Sequence, residues 1–124
     1  MDGLATSLVG REEKGVTKGG RTFYKMSGSG NDFVFFDIGD EPAGVLEKPE
    51  TIREICARGT GVGADGVVFF KRALDGVVDI RYYNSDGSGG ELCGNATLCA
   101  VRLTELLGAS ADHLTVRDTR GTEE

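Results

Sequence analysis

The sequence lacks any dense cluster of lysine and arginine, and its 14 basic residues are outnumbered by 20 acidic ones, for a formal charge of -6. That balance argues against a surface built to neutralise phosphate backbones or anionic lipid, so nucleic acid is not expected as a partner. Also missing is any run of roughly 20 apolar residues, the length that a membrane helix needs. The start, MDGLATSLVGREEKG, has no basic leader followed by a sustained apolar stretch. No membrane association is expected, and the cytoplasm is the expected compartment. Cysteine is scarce: there are three, an odd number with no CxxC pair, and the one histidine, His113, has no neighbouring ligand types. Neither a disulfide framework nor a metal site is indicated, and free thiols in a reducing compartment fit the pattern. The sequence contains no Walker A motif and no internal repeat.

What is present suits one α+β domain. A chain of 124 residues with 39% hydrophobic content can build one core but not two of ordinary size. Residues 1–21 mix Gly, Lys, Glu and Thr without a hydrophobic period and read as a flexible extension without chemistry. The domain is expected over 22–124. Within it, TFYKM, FVFFDI, GVVFF, DIRYY and HLTVR are short β-branched or aromatic runs divided by Gly, Asn and Asp, which reads as five strands.

Two segments carry a helical period. In PETIREICAR, Pro49 suits a first helical position, Ile52, Ile55 and Cys56 form an i, i+3, i+4 stripe, and Gly59 follows as a stop. Cys56 is thus expected in the core. After Cys93, a second stripe joins Ala96, Cys99, Ala100, Leu103, Leu106 and Leu107, with Gly108 as its stop and Leu98 and Val101 widening the apolar surface. Such a helix is expected to be buried centrally, with strands wrapped around it.

Three segments concentrate Gly, Asn and Asp. GVGADG (Gly61–Gly66) matches the spacing of a dinucleotide fingerprint, but a helix precedes it and a strand follows, the reverse of the required order. No nucleotide is expected there. GSGNDF (Gly28–Phe33) reads first as a tight turn in which Asn31 or Asp32 bonds its own backbone. In YYNSDGSGGELCGN (Tyr82–Asn95), a loop carries the chain to Cys93 at a helix start. Unpaired N–H groups and the positive end of the helix dipole favour a thiolate there, and the amides of Gly94 and Asn95 could hold a carboxylate. The structural alternative is a plain loop before a core cysteine.

Read in order, KMSGSGNDFV, ICARGTGVGADGVV and YYNSDGSGGELCGN resemble the diaminopimelate epimerases, over about Phe23 to Thr119. The resemblance implies an isomerase without pyridoxal phosphate or other cofactor. One cysteine thiolate takes the α-proton of LL-diaminopimelate, and a second thiol on the opposite face returns one, giving the meso form used for lysine and peptidoglycan. Cys93 matches the catalytic cysteine of the family's first half, while Gly94, Asn95, Asn31 and Asn84 match substrate-binding positions. Departures follow CGN, where Ala96, Thr97 and Leu98 replace the usual glycine, variable residue and arginine. Gly89 replaces a common acidic residue and Ser27 a frequent histidine. The family's second half brings the other cysteine, so the expectation is a half-enzyme inactive alone, unless a second copy completes it as a homodimer. Two alternatives are a related racemase acting on proline, hydroxyproline or histidine, and a non-catalytic self-associating module.

Overall fold

The computed structural model describes residues 11–17, 19–28, 30–73, 76–90, 94–108 and 114–118. Six strands form one mixed sheet in chain order: β1 (Arg11–Val16), β2 (Thr22–Gly28), β3 (Asn31–Asp37), β4 (Gly66–Arg72), β5 (Val77–Asn84) and β6 (Thr115–Asp118). β1, β2 and β3 run antiparallel in succession, as do β4 and β5; β3–β4 and β5–β6 are parallel. Parallel neighbours need a crossover, and the helices occur at those two connections. A 3-10 turn (Gly44–Glu47) and α1 (Pro49–Cys56) join β3 to β4, and α2 (Gly94–Leu106) lies between β5 and β6.

The near-continuous apolar runs of β3 and β4 are explained by burial on both sides. Phe33 and Phe35 of β3, with Val68 and Phe70 of β4, meet Ala96, Cys99, Ala100 and Leu103 of α2 in one cluster. Val34, Phe36, Val67 and Phe69 alternate to the other face, where they meet Ile52, Ile55 and Cys56 of α1. Each helix thus covers its own face of the sheet. Full burial of a side chain such as Ile52 contributes about 1.5–3 kcal/mol relative to leaving it in water.

The α+β class and the five strands expected from the sequence are present, with one difference. β1 occupies Arg11–Val16, inside the segment expected to be a flexible extension, and pairs along its whole length with β2. Its register sets Gly15 over the Phe23 ring, where a Cβ would lie 2.5 Å from Cζ. This edge strand is held by backbone pairing and close approach, not by an apolar stripe. Helix α2 touches β2, β4 and β6 and packs on the sheet through Ala96, Cys99, Ala100 and Leu103. Leu98 is 67% exposed and Leu106 43%. Within the helix, the buried Thr104 hydroxyl donates back to the Ala100 carbonyl at 3.0 Å, so its burial leaves no unmet polar group.

Candidate active site

The functional candidates gather at one end of the sheet. β3 and β4 begin there, and β5, antiparallel to β4, ends there, because Gly66 pairs with both Phe33 and Asn84. At the β2–β3 connection Gly28 lies opposite Asn31, and Gly30 has φ 88°. The Asn31 side chain, however, reaches across strands instead of capping its own turn. Its Nδ2 donates to Asp65 Oδ2 at 3.3 Å, and its Oδ1 accepts from Asn95 Nδ2, 64 residues away, at 2.7 Å. Two residues from separate motifs thereby meet at the first turn of α2.

A network of charges fastens this turn to the segment entering β4. Arg58 grips Asp32 with both terminal nitrogens, at 2.9 and 3.2 Å, and also donates to Asp65 Oδ1 at 3.2 Å. Lys25 adds a contact to Asp32 at 3.6 Å. Asp65 Oδ2 accepts the Asp32 backbone N–H at 3.0 Å, and the Asp65 N–H returns a bond to the Asp32 carbonyl at 2.8 Å. The Arg58 hydrogen bonds, with Lys25 and Arg58 charges nearby, outweigh partial burial and hold the Asp32 carboxyl well below the usual range, at about 2. Neither Arg58 nor Asp65 was singled out from the sequence, and Asp32 only as a turn residue. All stand in the motifs quoted above, but their separations of 26 and 33 residues hide the contacts.

Asn84 lies at the same end, two strands from β3 and so about 10 Å across the sheet. Its Nδ2 donates to Ser88 Oγ at 3.2 Å, and its backbone N–H donates to the Ser88 carbonyl at 2.8 Å. The chain here doubles back along β5, with Gly89 bridging to Tyr83 and the Gly90 N–H bonding the Tyr82 carbonyl. Two glycines permit it. Gly87, at φ 91°, is seated where a Cβ would lie 2.7 Å from the Pro49 carbonyl; at Gly90 a Cβ would lie 2.9 Å from Asn84 Nδ2. The loop is therefore docked both on α1 and against a candidate site residue.

Cys93 lies outside the described residues; α2 begins at the next residue, Gly94, which is exposed. The other cysteines are core residues, Cys56 at 4% exposure in the α1 cluster and Cys99 at 6% in the α2 cluster. Burial pushes the Cys56 thiol up to about 11, which suppresses its thiolate at neutral pH. Ala96, one of the departures, is fully buried beneath α2, whereas Leu98, at the position where arginine was expected, faces away from the sheet. GVGADG lies between α1 and β4, the opposite of a dinucleotide-binding context. Among the described residues, no helix is long and apolar enough to cross a membrane.

Fold and site together define an α+β domain that collects amides and a fixed charge network where strand ends meet a helix start, an arrangement suited to a small polar ligand. A family profile described as diaminopimelate epimerase matches residues 23–123, and the chain belongs to that family. It is similar to the diaminopimelate epimerase of Gemmatimonas aurantiaca, at 48% identity over 92 residues, covering 73% of this chain and 33% of that protein. The Archaeoglobus fulgidus protein of the same name is 40% identical over 108 residues, or 82% of this chain and 37% of its own length. That of Aquifex aeolicus is 45% identical over 88 residues, covering 64% and 32%. The chain spans about a third of the length of these relatives.

Proposed function

We propose that this chain carries one half of the catalytic site of a diaminopimelate epimerase, an isomerase of lysine biosynthesis, with Cys93 as one of two catalytic thiols. The observation that carries this reading is the 2.7 Å bond between Asn31 and Asn95, which joins two motifs at the start of the helix directly following Cys93. The substrate is LL-diaminopimelate. Its α-carboxylate takes N–H groups from the Gly94–Asn95 helix start and neighbouring amides; its α-ammonium takes amide oxygens.

The chemistry is a proton exchange at carbon without pyridoxal phosphate. The Cys93 sulfur, as thiolate, takes the α-hydrogen as a proton: the Cα–H bond breaks, an S–H bond forms, and the electron pair stays on the substrate. A thiol on the opposite face then gives its proton to that carbon, which inverts the configuration. Because an amino-acid α-proton is very weakly acidic, the helix start must stabilise both the thiolate and the charge that develops on the carboxylate. Neither buried cysteine can serve as the second thiol, so the 124-residue chain is not expected to complete turnover alone.

The test is exchange of the diaminopimelate α-proton in deuterated water, with the chain and a Cys93→Ser control. Exchange that disappears in the control supports Cys93 as a base. Equal exchange in both chains would sink the assignment.

A further inference from the structure

Three donors converge on Asp65, a residue without a role in the mechanism above. Asn31 Nδ2 and the Asp32 backbone N–H reach Oδ2 at 3.3 and 3.0 Å, and Arg58 Nη2 reaches Oδ1 at 3.2 Å. An ionised carboxylate only accepts, so the part of Asn31 facing it must be the NH2 group. That turns Asn31 Oδ1 toward Asn95, where it accepts from Asn95 Nδ2 at 2.7 Å. An order of donors and acceptors is thus imposed from Asp65 through Asn31 to Asn95.

The order has a chemical consequence. Each amide carries two N–H bonds and one oxygen. With one N–H of each used inside the chain and the Asn31 oxygen already accepting from Asn95, the pair has two N–H groups and the Asn95 oxygen without a partner among the described residues. Were the order reversed, the Asn31 oxygen would face the Asp65 carboxylate, acceptor against acceptor, and the Asn95 oxygen would already accept from Asn31, with one of its two lone pairs left for a ligand. A carboxylate could still bind, but an ammonium would meet an acceptor already shared with Asn31.

We propose that Asp65 is a positioning residue that fixes the amide orientations of Asn31 and Asn95, so that Asn95 offers its oxygen to the ammonium group of an α-amino acid. The ligand's identity rests on the functional reading above; the orientation does not. The two are tested separately.

Nitrogen-15 spectra of side-chain amides in the intact chain read the orientation without a ligand. The Asn31 NH2 pair should show one proton shifted downfield and slowed in exchange relative to the same pair in the urea-unfolded chain, and Asp65→Ala should abolish both features. Asp65→Asn should keep them, because two donors, Asn31 Nδ2 and the Asp32 N–H, draw its oxygen to the Oδ2 position, while the exposed Arg58 side chain is free to turn away from the new NH2 group. A signature missing from the native chain, or one that survives Asp65→Ala, overturns the proposal.

Calorimetric titration then reads the consequence. Diaminopimelate should bind Asp65→Ala about tenfold more weakly than the native chain, the loss expected of one hydrogen bond to a charged group, with Asp65→Asn restoring affinity. Heptanedioate, which has both carboxylates but no ammonium, should bind the native chain and Asp65→Ala alike. Equal losses for both ligands would reduce Asp65 to a structural residue and overturn its positioning role. An intact Asn31 signature in a native chain that binds no diaminopimelate would support the orientation and defeat the functional reading instead.

Discussion

The two helical crossovers meet the functional end of the sheet with opposite termini. Past Cys56, the last residue of α1, the chain runs through Arg58 to Asp65 and into β4; α2 presents its first turn, at Gly94 and Asn95. One crossover therefore delivers charges to this end of the sheet and the other delivers amides. Helix dipoles account for part of the division. A positive side chain just beyond a C-terminus and ligand-facing N–H groups at an N-terminus are each in the favourable sense. Charge fixes the scaffold through the Arg58–Asp32–Asp65 network, while amides remain to read a ligand.

If the two faces are separate cores, they should fail separately. Ile52→Ala, beneath α1, and Leu103→Ala, beneath α2, each remove a fully buried side chain and should cost about 2–5 kcal/mol in urea unfolding. In the milder pair Ile52→Val and Ile80→Val, one on each face, the losses should add to within about 0.5 kcal/mol. Strong coupling between them would mean that the sheet transmits packing from one face to the other. The contrast between crossovers would then be one of chemistry only.

Much of this arrangement was legible before any coordinates, and the exceptions share a cause. Strands β2 to β5 and both helices announce themselves by their apolar pattern, because each buries side chains on at least one face, and β6 does so through Val116, partly buried against the α2 cluster. β1 does not: Lys14 and Val16 are exposed, and its stabilisation comes from backbone pairing that no side-chain pattern encodes. Likewise Asn31, Asn84 and Asn95 stand out in dense polar motifs, whereas the pairing of Arg58 and Asp65 with the β2–β3 turn depends on the parallel register of β3 with β4. That register is set by a crossover of nearly thirty residues, and sequence spacing within a motif does not reveal it. The exposure of Leu98 was hidden for a similar reason, since an apolar residue can widen a stripe without any element being there to cover it.

The same division between scaffold and site should appear in the thiols. Cys56 is buried and its thiol is raised to about 11, whereas Cys93 precedes a helix start. Compared with an ordinary free thiol, Cys56 would hold more than about a hundredfold less thiolate at neutral pH, before its lack of access is counted. Brief alkylation of the native chain, followed by mass mapping, should therefore label Cys93 first, with Cys56 and Cys99 protected until unfolding. Faster labelling of either core cysteine would remove the basis for treating Cys93 as the poised thiol.

The loop that leads to Cys93 can be perturbed without touching either core. Gly87→Ala places a Cβ against the Pro49 carbonyl while keeping a positive φ, and should cost about 1–3 kcal/mol. Since Arg53 also donates to the Asp86 carbonyl, at 3.3 Å, the loop is expected to lift from α1 as a unit. Hydrogen exchange should then rise at Ser88 and Gly90 before it rises in β4. Uniform exchange across the sheet would show instead that loop and core open together.

The charge network should give the smallest effect and the most specific one, because it acts only in acid. Asp32 has a folded-state pKa of about 2, against an ordinary value of 3.8, chiefly because Arg58 hydrogen-bonds its ionised form. A lowered carboxyl pKa means that the unfolded chain binds the proton more tightly than the folded one. The stabilisation is therefore fully present above about pH 4 and is lost as pH falls toward 2. Asp86, also lowered by its bonds from Ser88, contributes in the same direction but belongs to the α2 approach. Urea midpoints measured from pH 5 to pH 2 should fall less steeply for Asp32→Asn than for the native chain, and the two curves should converge near pH 2. Parallel curves would show that Arg58 does not distinguish the charged from the neutral side chain, and the charge-bearing crossover would lose its claim to fix the Asn31 turn.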